Sequence, residues 1–253
     1  MLSRYALRAA DGLIGMSDKV AADLDVLGVT APVRVVPHPV YNGFGDPVEA
    51  SKARAALGLA GDGPVFLFFG FIRRYKGLHV LLDAMRSVHE RVPTARLVVA
   101  GEFYADEADL RAQAGPLGDA IRLDAGYIPD DRVGLYFSAA DAVVQPYVTA
   151  TQSGVAQIAF HFGRPVITTD VGGLAEIVPD GEAGLVVPPE APDALADALV
   201  RFVEDDLSAR LADGVRRQRD RYSWDRLAEA VETLGAAPEG FTEVGALGVG
   251  RKA

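Results

Sequence analysis

Three cationic side chains follow a short apolar run near residue 70. The segment is enclosed by Gly70 and Gly77, and the cations between them are Arg73, Arg74 and Lys76. Glycine lets the backbone approach a ligand closely, and cations beside a helix N-terminus pair with phosphate oxygens. The segment therefore suits a diphosphate, although a solvated basic turn would have the same composition. It is not a Walker A loop, because no Lys-Ser or Lys-Thr pair ends a glycine-rich stretch.

A second cluster opens a predicted helix with small polar residues. Its members are Ala150, Thr151, Gln152, Ser153 and Gly154. This composition fits a phosphate site at a helix N-terminus. Taken alone, an N-cap at Thr151 or Ser153 is the simpler explanation.

A glycine pair forms the third cluster. Gly172 and Gly173 follow another apolar run, and Glu176 comes three residues later. The pair would expose backbone N–H groups, but an ordinary tight turn explains it equally. All three clusters come where a strand is predicted to end, and in parallel sheets ligands bind beyond the carboxyl ends of the strands. Their coincidence at one sheet edge favours a ligand site.

The elements that would position these clusters alternate along the chain. Apolar runs predict strands at 64–70, 95–101, 120–126, 141–147, 165–169 and 184–187. Helical spacing predicts helices at 78–88, 107–114, 132–140, 153–162 and 193–203. This alternation predicts an α/β fold with a Rossmann-like, mostly parallel sheet and helices on both faces. Residues 1–45 predict two short strands (12–16, 33–36) and a helix over 18–27, and 201–234 has a helical pattern.

Composition narrows the function classes. The 253 residues carry a formal net charge of −10 and include no cysteine, which argues against nucleic-acid binding and against disulfides or thiolate metal sites. No stretch approaches the ~20 apolar residues of a spanning helix, and the first residues lack the apolar core of a signal peptide. A cytoplasmic location is expected, and the sequence offers no support for peripheral membrane contact.

These clusters, in this order, resemble the C-terminal donor-binding domain of family 4 (group 1) glycosyltransferases, which have the GT-B fold. The resemblance covers residues of about 60–205. It rests on Phe69-Gly70, Arg73 and Lys76-Gly77, on Pro146-Tyr147, Gln152-Ser153-Gly154 and Gly163-Arg164-Pro165-Val166, and on Thr169-Asp170, Gly172-Gly173, Glu176, Asp180-Gly181 and Gly184-Leu185-Val186. Residues 1–45 resemble the end of the family's N-terminal domain, and Ser223-Trp224-Asp225 its closing helix.

The resemblance implies a retaining transferase that uses a nucleotide-diphosphate sugar, with no metal or other cofactor. Arg73 and Lys76 would be the catalytic cations, stabilising the departing diphosphate. Arg74 is the alternative to Arg73, because the family's arginine directly follows the glycine, where this chain has Phe71. The donor-binding set that the resemblance implies is Gly70, Arg74, Gly126, Tyr127, Ile128, Thr151, Gln152, Ser153, Gly154, Val155, Gly172, Gly173 and Glu176. Within it, 126–128 would lie along the nucleobase and the amides of 153–155 would hold the phosphates.

Two departures from the family pattern stand out. The family's donor site often carries two glutamates eight positions apart, at the sugar and the ribose, and those places hold Ala150 and Ile158. Either Gln152 and Thr151 take over their contacts, which the polar loop favours, or donor binding is weakened. The second departure is that only the end of an N-terminal GT-B domain is present.

The resemblance divides residues 1–235 into three parts. Residues 1–45 are a remnant of the N-terminal domain with its linker, 46–222 the donor-binding domain and 223–235 the closing helix. The composition of 236–253, with Gly, Ala and Pro and few bulky residues, predicts a disordered tail. The expected partners are a nucleotide-sugar donor and the missing domain, supplied by a partner chain or a second copy, so this chain alone would be inactive.

Three functions compete on these residues. A transferase of hexosyl or related groups to an unidentified acceptor fits best. A non-catalytic nucleotide-binding or protein-interaction subunit is the alternative, favoured by Ala150, Ile158 and the missing half. A nicotinamide dehydrogenase is excluded because no strand leads into Gly-x-Gly-x-x-Gly.

Overall fold

The computed structural model describes residues 2–59 and 61–236. Two short parallel strands near the N-terminus, β1 (Leu13–Gly15) and β2 (Val33–Val35), pair with each other. Six further strands form the central sheet. They are β3 (Val65–Phe69), β4 (Arg96–Gly101), β5 (Ile121–Ala125), β6 (Ala142–Gln145), β7 (Val166–Thr169) and β8 (Gly184–Val187). All six are parallel, in the order β5-β4-β3-β6-β7-β8, so the predicted Rossmann-like sheet is confirmed.

Helices connect the strands and flank the sheet. They are α1 (Leu2–Ala9), α2 (Asp18–Val26), α3 (Ala50–Ala56), α4 (Leu78–Arg91), α5 (Glu107–Ala114), α6 (Asp130–Ala139), α7 (Gly154–His161), α8 (Leu174–Ile177), α9 (Pro192–Glu204), α10 (Leu207–Gln218) and α11 (Trp224–Gly235). The helical pattern predicted over 201–234 is interrupted, because Asp206 has a φ of 48° between α9 and α10 and a 3₁₀ turn, Arg219–Tyr222, separates α10 from α11.

The core has one layer on each face of the sheet. Along β3, Phe66 and Phe68 pack on the face covered by α4 and α9, whereas Val65 and Leu67 pack on the face covered by α6 and α7. These four residues are buried, and each large apolar side chain contributes about 1.5–3 kcal/mol when fully buried. A strand buried on both faces explains the unbroken apolar run in the sequence.

The strand order reverses between β3 and β6. From β3 the chain adds β4 and β5 on one side of the sheet, and then it returns to add β6, β7 and β8 on the other side. The connections after β3 and β6 therefore lead to opposite faces of the sheet, with α4 on one and α7 on the other, which leaves a crevice beyond the carboxyl ends of the strands. Open α/β sheets bind ligands at such a switch point.

The N-terminal segment packs against the C-terminal helix. A Cβ at Gly12 would lie 3.0 Å from Leu234 Cδ2. Further along, the backbone N–H of Val40 donates to the carbonyl of Tyr222 at 2.9 Å, and the indole Nε1 of Trp224 donates to the carbonyl of Val40 at 3.2 Å. Residues 36–45, called the linker below, are thus anchored beside α11 before the chain enters the sheet.

The sequence predicts no membrane-spanning helix and a disordered C-terminal tail. Within 2–59 and 61–236, no helix combines the length and the apolar character that crossing a membrane requires. The predicted disordered tail, 236–253, lies outside the described residues except for Ala236.

Candidate functional site

A cavity of about 690 Å³ lies at the switch point, beyond the carboxyl ends of the strands. Loops after β3, β4, β5 and β6 contribute to it, together with the linker. Predicted site residues that line it are Gly70, Lys76, Gly126, Tyr127, Ile128, Thr151, Gln152, Ser153, Gly154 and Val155. The first two clusters of the sequence therefore meet in one place.

The loop after β3 is shaped by glycines. Gly77 has a φ of 71°, in the left-handed region, and a Cβ there would lie 1.8 Å from the carbonyl oxygen of Pro146. Only glycine fits a position that combines this backbone angle with so close an approach. The contact brings the loop that carries Lys76 against the end of β6. A hydrogen bond of 2.7 Å from Val148 N–H to the Tyr75 carbonyl joins the same two loops.

Lys76 carries the positive charge of the cavity. It is 8% exposed, its Nζ lies 5.6 Å from the centroid of the Tyr147 ring, and a Cβ at Gly70 would lie 3.2 Å from that Nζ. Burial, followed by the nearby charge of Arg73, lowers the pKa of Lys76 to about 8. Among the described residues lining the cavity it is the one cation, and Glu102 and Asp130 are the carboxylates. An anion would relieve the desolvation of this ammonium group.

We expect binding of a nucleoside diphosphate to weaken about tenfold between pH 7 and pH 9. Free Lys76, with a pKa of about 8, loses its proton over this interval, whereas a bound diphosphate raises that pKa. Binding is therefore accompanied by proton uptake, and the affinity for the diphosphate falls as pH rises. Calorimetry at the three pH values 7, 8 and 9, in two buffers of different ionisation enthalpy, measures both effects. A flat profile without proton uptake would contradict the role of Lys76.

The second cluster opens α7 beside the loop that follows β3. Ser153 is the N-cap residue, and its Oγ accepts a hydrogen bond from Ala156 N–H at 3.4 Å. The amides of Gly154 and Val155 come in the first turn, where helical N–H groups have no intrahelical acceptor. A Cβ at Gly70 would lie 3.6 Å from Val155 Cγ2. Capping and ligand binding, which the sequence left as alternatives, are thus compatible at this helix.

One polar atom of the same loop, the side-chain nitrogen of Gln152, lacks a partner among the described residues. This Nε2 atom is buried, so a bound acceptor atom would satisfy it. Tyr147 is buried, which raises its pKa to about 12 and keeps its hydroxyl protonated. Ala150 and Ile158, the positions of the two family glutamates, both line the cavity and give it an apolar wall.

Several lining residues were not predicted from the sequence. Tyr41 and Phe44 reach the cavity from the linker, and a Cβ at Gly154 would lie 3.0 Å from Tyr41 Cε2. The Tyr41 hydroxyl is 3.1 Å from His38 Nε2. Glu102 directly follows β4, and the position of ligand residues after parallel strands is the signal that could have found it. No periodic pattern in the sequence indicates that the linker crosses the sheet edge.

Two predicted cations lie beside the cavity and do not line it. The Arg73 guanidinium lies over the Tyr104 ring, 4.8 Å from its centroid. Arg74 is exposed and pairs with Asp106 at 3.8 Å. Arg73 is still close enough for its charge to lower the pKa of Lys76, so it contributes to the potential of the cavity. Arg74 makes no described contact with the lining residues.

The third cluster also lies outside the lining. Gly172 and Gly173 pack behind the loop that follows β6, where Gly173 N–H donates to the Thr151 carbonyl at 3.2 Å. The Glu176 carboxylate accepts hydrogen bonds from the backbone of α2. The structure therefore brings the first two clusters together directly, and the third only through the wall of the cavity.

The parallel sheet with a cavity at its switch point defines a Rossmann-like α/β fold, and comparison with known proteins identifies the family. Residues 63–205 match the family described as group 1 glycosyl transferases; the chain belongs to this family, with the GT-B fold that the sequence motifs indicated. Among relatives, the chain is 33% identical over 247 residues to a D-inositol 3-phosphate glycosyltransferase of Acidothermus cellulolyticus, covering 93% of this chain and 54% of that protein. It is 29% identical to the lipopolysaccharide core biosynthesis mannosyltransferase LpsB of Rhizobium meliloti, covering 92% and 67%.

Solved structures show the same architecture. Sucrose-phosphate synthase from Thermosynechococcus elongatus superposes with a TM-score of 0.77 at 31% identity, covering 93% of this chain and 60% of that chain. Anabaena Alr3699/HepE in complex with UDP superposes with a TM-score of 0.77 at 23% identity, covering 90% and 64%, and so shows the fold alone. The chain spans about half the length of the D-inositol 3-phosphate glycosyltransferases that it matches.

Proposed function

We propose that the chain binds a nucleotide-diphosphate sugar in this cavity, as the donor-binding half of a retaining glycosyltransferase. The observation that carries the proposal is the convergence of Lys76 and the first turn of α7 on Gly70. A Cβ on that glycine would lie 3.2 Å from the ammonium nitrogen and 3.6 Å from Val155 Cγ2. An ammonium group and free amides around a glycine offer the charge and the donors that a diphosphate needs.

The bound donor then has a defined orientation. Its diphosphate lies between Lys76 and the amides of 153–155, and its base lies along 126–128, which line the same cavity. The sugar lies near Gln152, whose buried Nε2 lacks a partner within the described residues, and near Thr151. Gln152 and Thr151 thus take over the contacts that glutamates at 150 and 158 make elsewhere in the family.

Catalysis in this arrangement is electrostatic. The bond between the anomeric carbon and the diphosphate oxygen breaks, and the diphosphate keeps the electron pair. An acceptor hydroxyl forms the new bond, and its proton passes to the released diphosphate. Lys76 and the helix terminus stabilise the charge that develops on the leaving group, with Arg73 adding to the potential. We propose that no metal is needed, so a chelator leaves donor binding unchanged.

Named relatives support this reading without identifying the substrate. HepE structures are described in complex with UDP and with UDP-glucose, and LpsB is named a mannosyltransferase, so a hexose is the sugar class to test. Because the D-inositol 3-phosphate glycosyltransferases that the chain matches are about twice as long, we propose that the acceptor binds to a second domain, present in the same protein, a partner chain or a second copy.

Calorimetric titration with UDP, GDP and ADP, then with their hexose conjugates, tests the proposal. We expect one nucleotide to bind with a micromolar dissociation constant, of the order typical for enzyme substrates, and its hexose conjugate to bind to the same site in competition. The apolar wall at Ala150 and Ile158 favours a non-catalytic subunit as the second candidate. Absence of binding by all three nucleotides would contradict a donor site and leave a protein-interaction role.

A further inference from the structure

Glu176 connects two distant parts of the chain. Its Oε2 accepts a hydrogen bond from Asp18 N–H at 2.9 Å, and its Oε1 accepts one from Lys19 N–H at 3.2 Å. Both amides belong to the first turn of α2, where free N–H groups and the positive end of the helix dipole favour a carboxylate. Ser17 caps the same turn, because its Oγ accepts from Val20 N–H at 3.2 Å. A residue 158 positions away therefore completes the cap of α2.

The glycine pair before Glu176 touches the cavity wall from behind. Gly173 N–H donates to the Thr151 carbonyl at 3.2 Å, and a Cβ at Gly172 would lie 1.9 Å from the Ala150 carbonyl oxygen. Ala150 and Thr151 line the cavity on their other side. The pair thus lies in direct contact with the segment that follows β6.

The residue before α2 is in contact with one glycine of this pair. Ser17 is 3% exposed, and a Cβ at Gly173 would lie 3.2 Å from both its Cβ and its Oγ. With Ser17 and Glu176 both bonded to the first turn of α2, this turn, the glycine pair and the segment 150–151 form three layers in contact. The first turn of α2 is therefore connected to the cavity wall through the glycine pair.

We propose that Glu176 is a positioning residue, which fixes the cavity segment 149–154 by holding the N-terminus of α2. The effect of Glu176 on ligand affinity rests on the proposed donor function, whereas its effect on the structure of segment 149–154 does not. The third sequence cluster then serves the site without touching the ligand, and the orientation of the N-terminal segment sets the shape of the cavity.

Amide hydrogen exchange of the full chain, detected by NMR, tests the structural part. Glu176→Ala removes both acceptors, Glu176→Gln keeps one, and Glu182→Gln is the matched control on an exposed carboxylate six residues later. In Glu176→Ala we expect exchange to accelerate about fivefold at Lys19 and also at Gly173 and Ala156, with a smaller change in Glu176→Gln. The amides of β3 should keep their rates in all variants.

Calorimetry with UDP, GDP and ADP tests the consequence for the ligand. The nucleotide that binds the unmodified chain should bind Glu176→Ala about fivefold more weakly and Glu182→Gln without change. Acceleration confined to Asp18 and Lys19 would overturn the proposal, since Glu176 would then be a helix cap only. If the unmodified chain binds no nucleotide, the donor function fails, and the exchange rates at Gly173 and Ala156 still decide the role of Glu176.

Discussion

Replacement of Lys76 by methionine is expected to weaken binding of the preferred nucleoside diphosphate about 100-fold, equivalent to about 2.7 kcal/mol. Lys76 is 8% exposed and is the cation that lines the cavity within the described residues. Methionine keeps most of the length of this buried side chain and removes the charge, so folding should be preserved. Calorimetric titration of both proteins at pH 7 measures the difference.

Two neighbouring arginines provide graded controls for this substitution. Arg73→Ala should weaken binding about tenfold, because its guanidinium lies over Tyr104 and acts on the cavity only through its charge. Arg74→Ala should change affinity less than threefold, since Arg74 is exposed and paired with Asp106. Equal losses in Lys76→Met and Arg74→Ala would show a general charge effect instead of a site, and unchanged affinity in Lys76→Met would refute the site assignment.

The second large effect concerns stability. Gly77→Ala should lower the free energy of unfolding by about 4 kcal/mol and the Tm by about 10 °C. Its φ of 71° disfavours any side chain, and a Cβ would lie 1.8 Å from the Pro146 carbonyl oxygen, a backbone atom that cannot rotate away. The loops after β3 and β6 would separate, so residual folded protein should also lose affinity for the nucleotide.

Gly163→Ala is the matched control for Gly77→Ala. Gly163 has a φ of 65°, similar to that of Gly77, but a Cβ there would meet nothing within 4 Å. Gly163→Ala should therefore lower the free energy of unfolding by only about 1 kcal/mol, the cost of a side chain at a left-handed backbone position. Thermal and denaturant unfolding of both variants separate the backbone term from the close approach. Equal destabilisation by the two substitutions would show that the contact with Pro146 does not hold the loops together.

The sheet could be predicted because each strand is marked by an apolar run in its own short segment of sequence. β3 is an unbroken apolar run with both faces buried, and the clusters after β3 and β6 follow from the rule that ligands bind at the carboxyl ends of parallel strands. By contrast, α3 was not predicted. Its seven residues, ASKARAA, have no side-chain cap at Glu49 and bury only Ala53, so neither capping nor periodicity marks it.

The remainder of the site depends on contacts between distant residues. The motif that contains Glu176 predicts a contact with the donor. In the structure its carboxylate instead accepts a hydrogen bond from the backbone of α2, 158 residues away. No local sequence pattern indicates this pairing. Tyr41 and Phe44 line the cavity because the linker is anchored beside Tyr222. Such long-range packing is not encoded in the period of either segment.

Trp224 gives the molecule a built-in optical probe. It is the single tryptophan of the chain, half exposed, and its indole N–H bonds to the carbonyl of Val40, one residue before Tyr41. Fluorescence excited selectively in the indole therefore originates at one point, the joint between the linker and α11. Because the same linker forms a wall of the cavity, movement of that wall can be followed in the native chain by the colour of its emission, without attaching a dye.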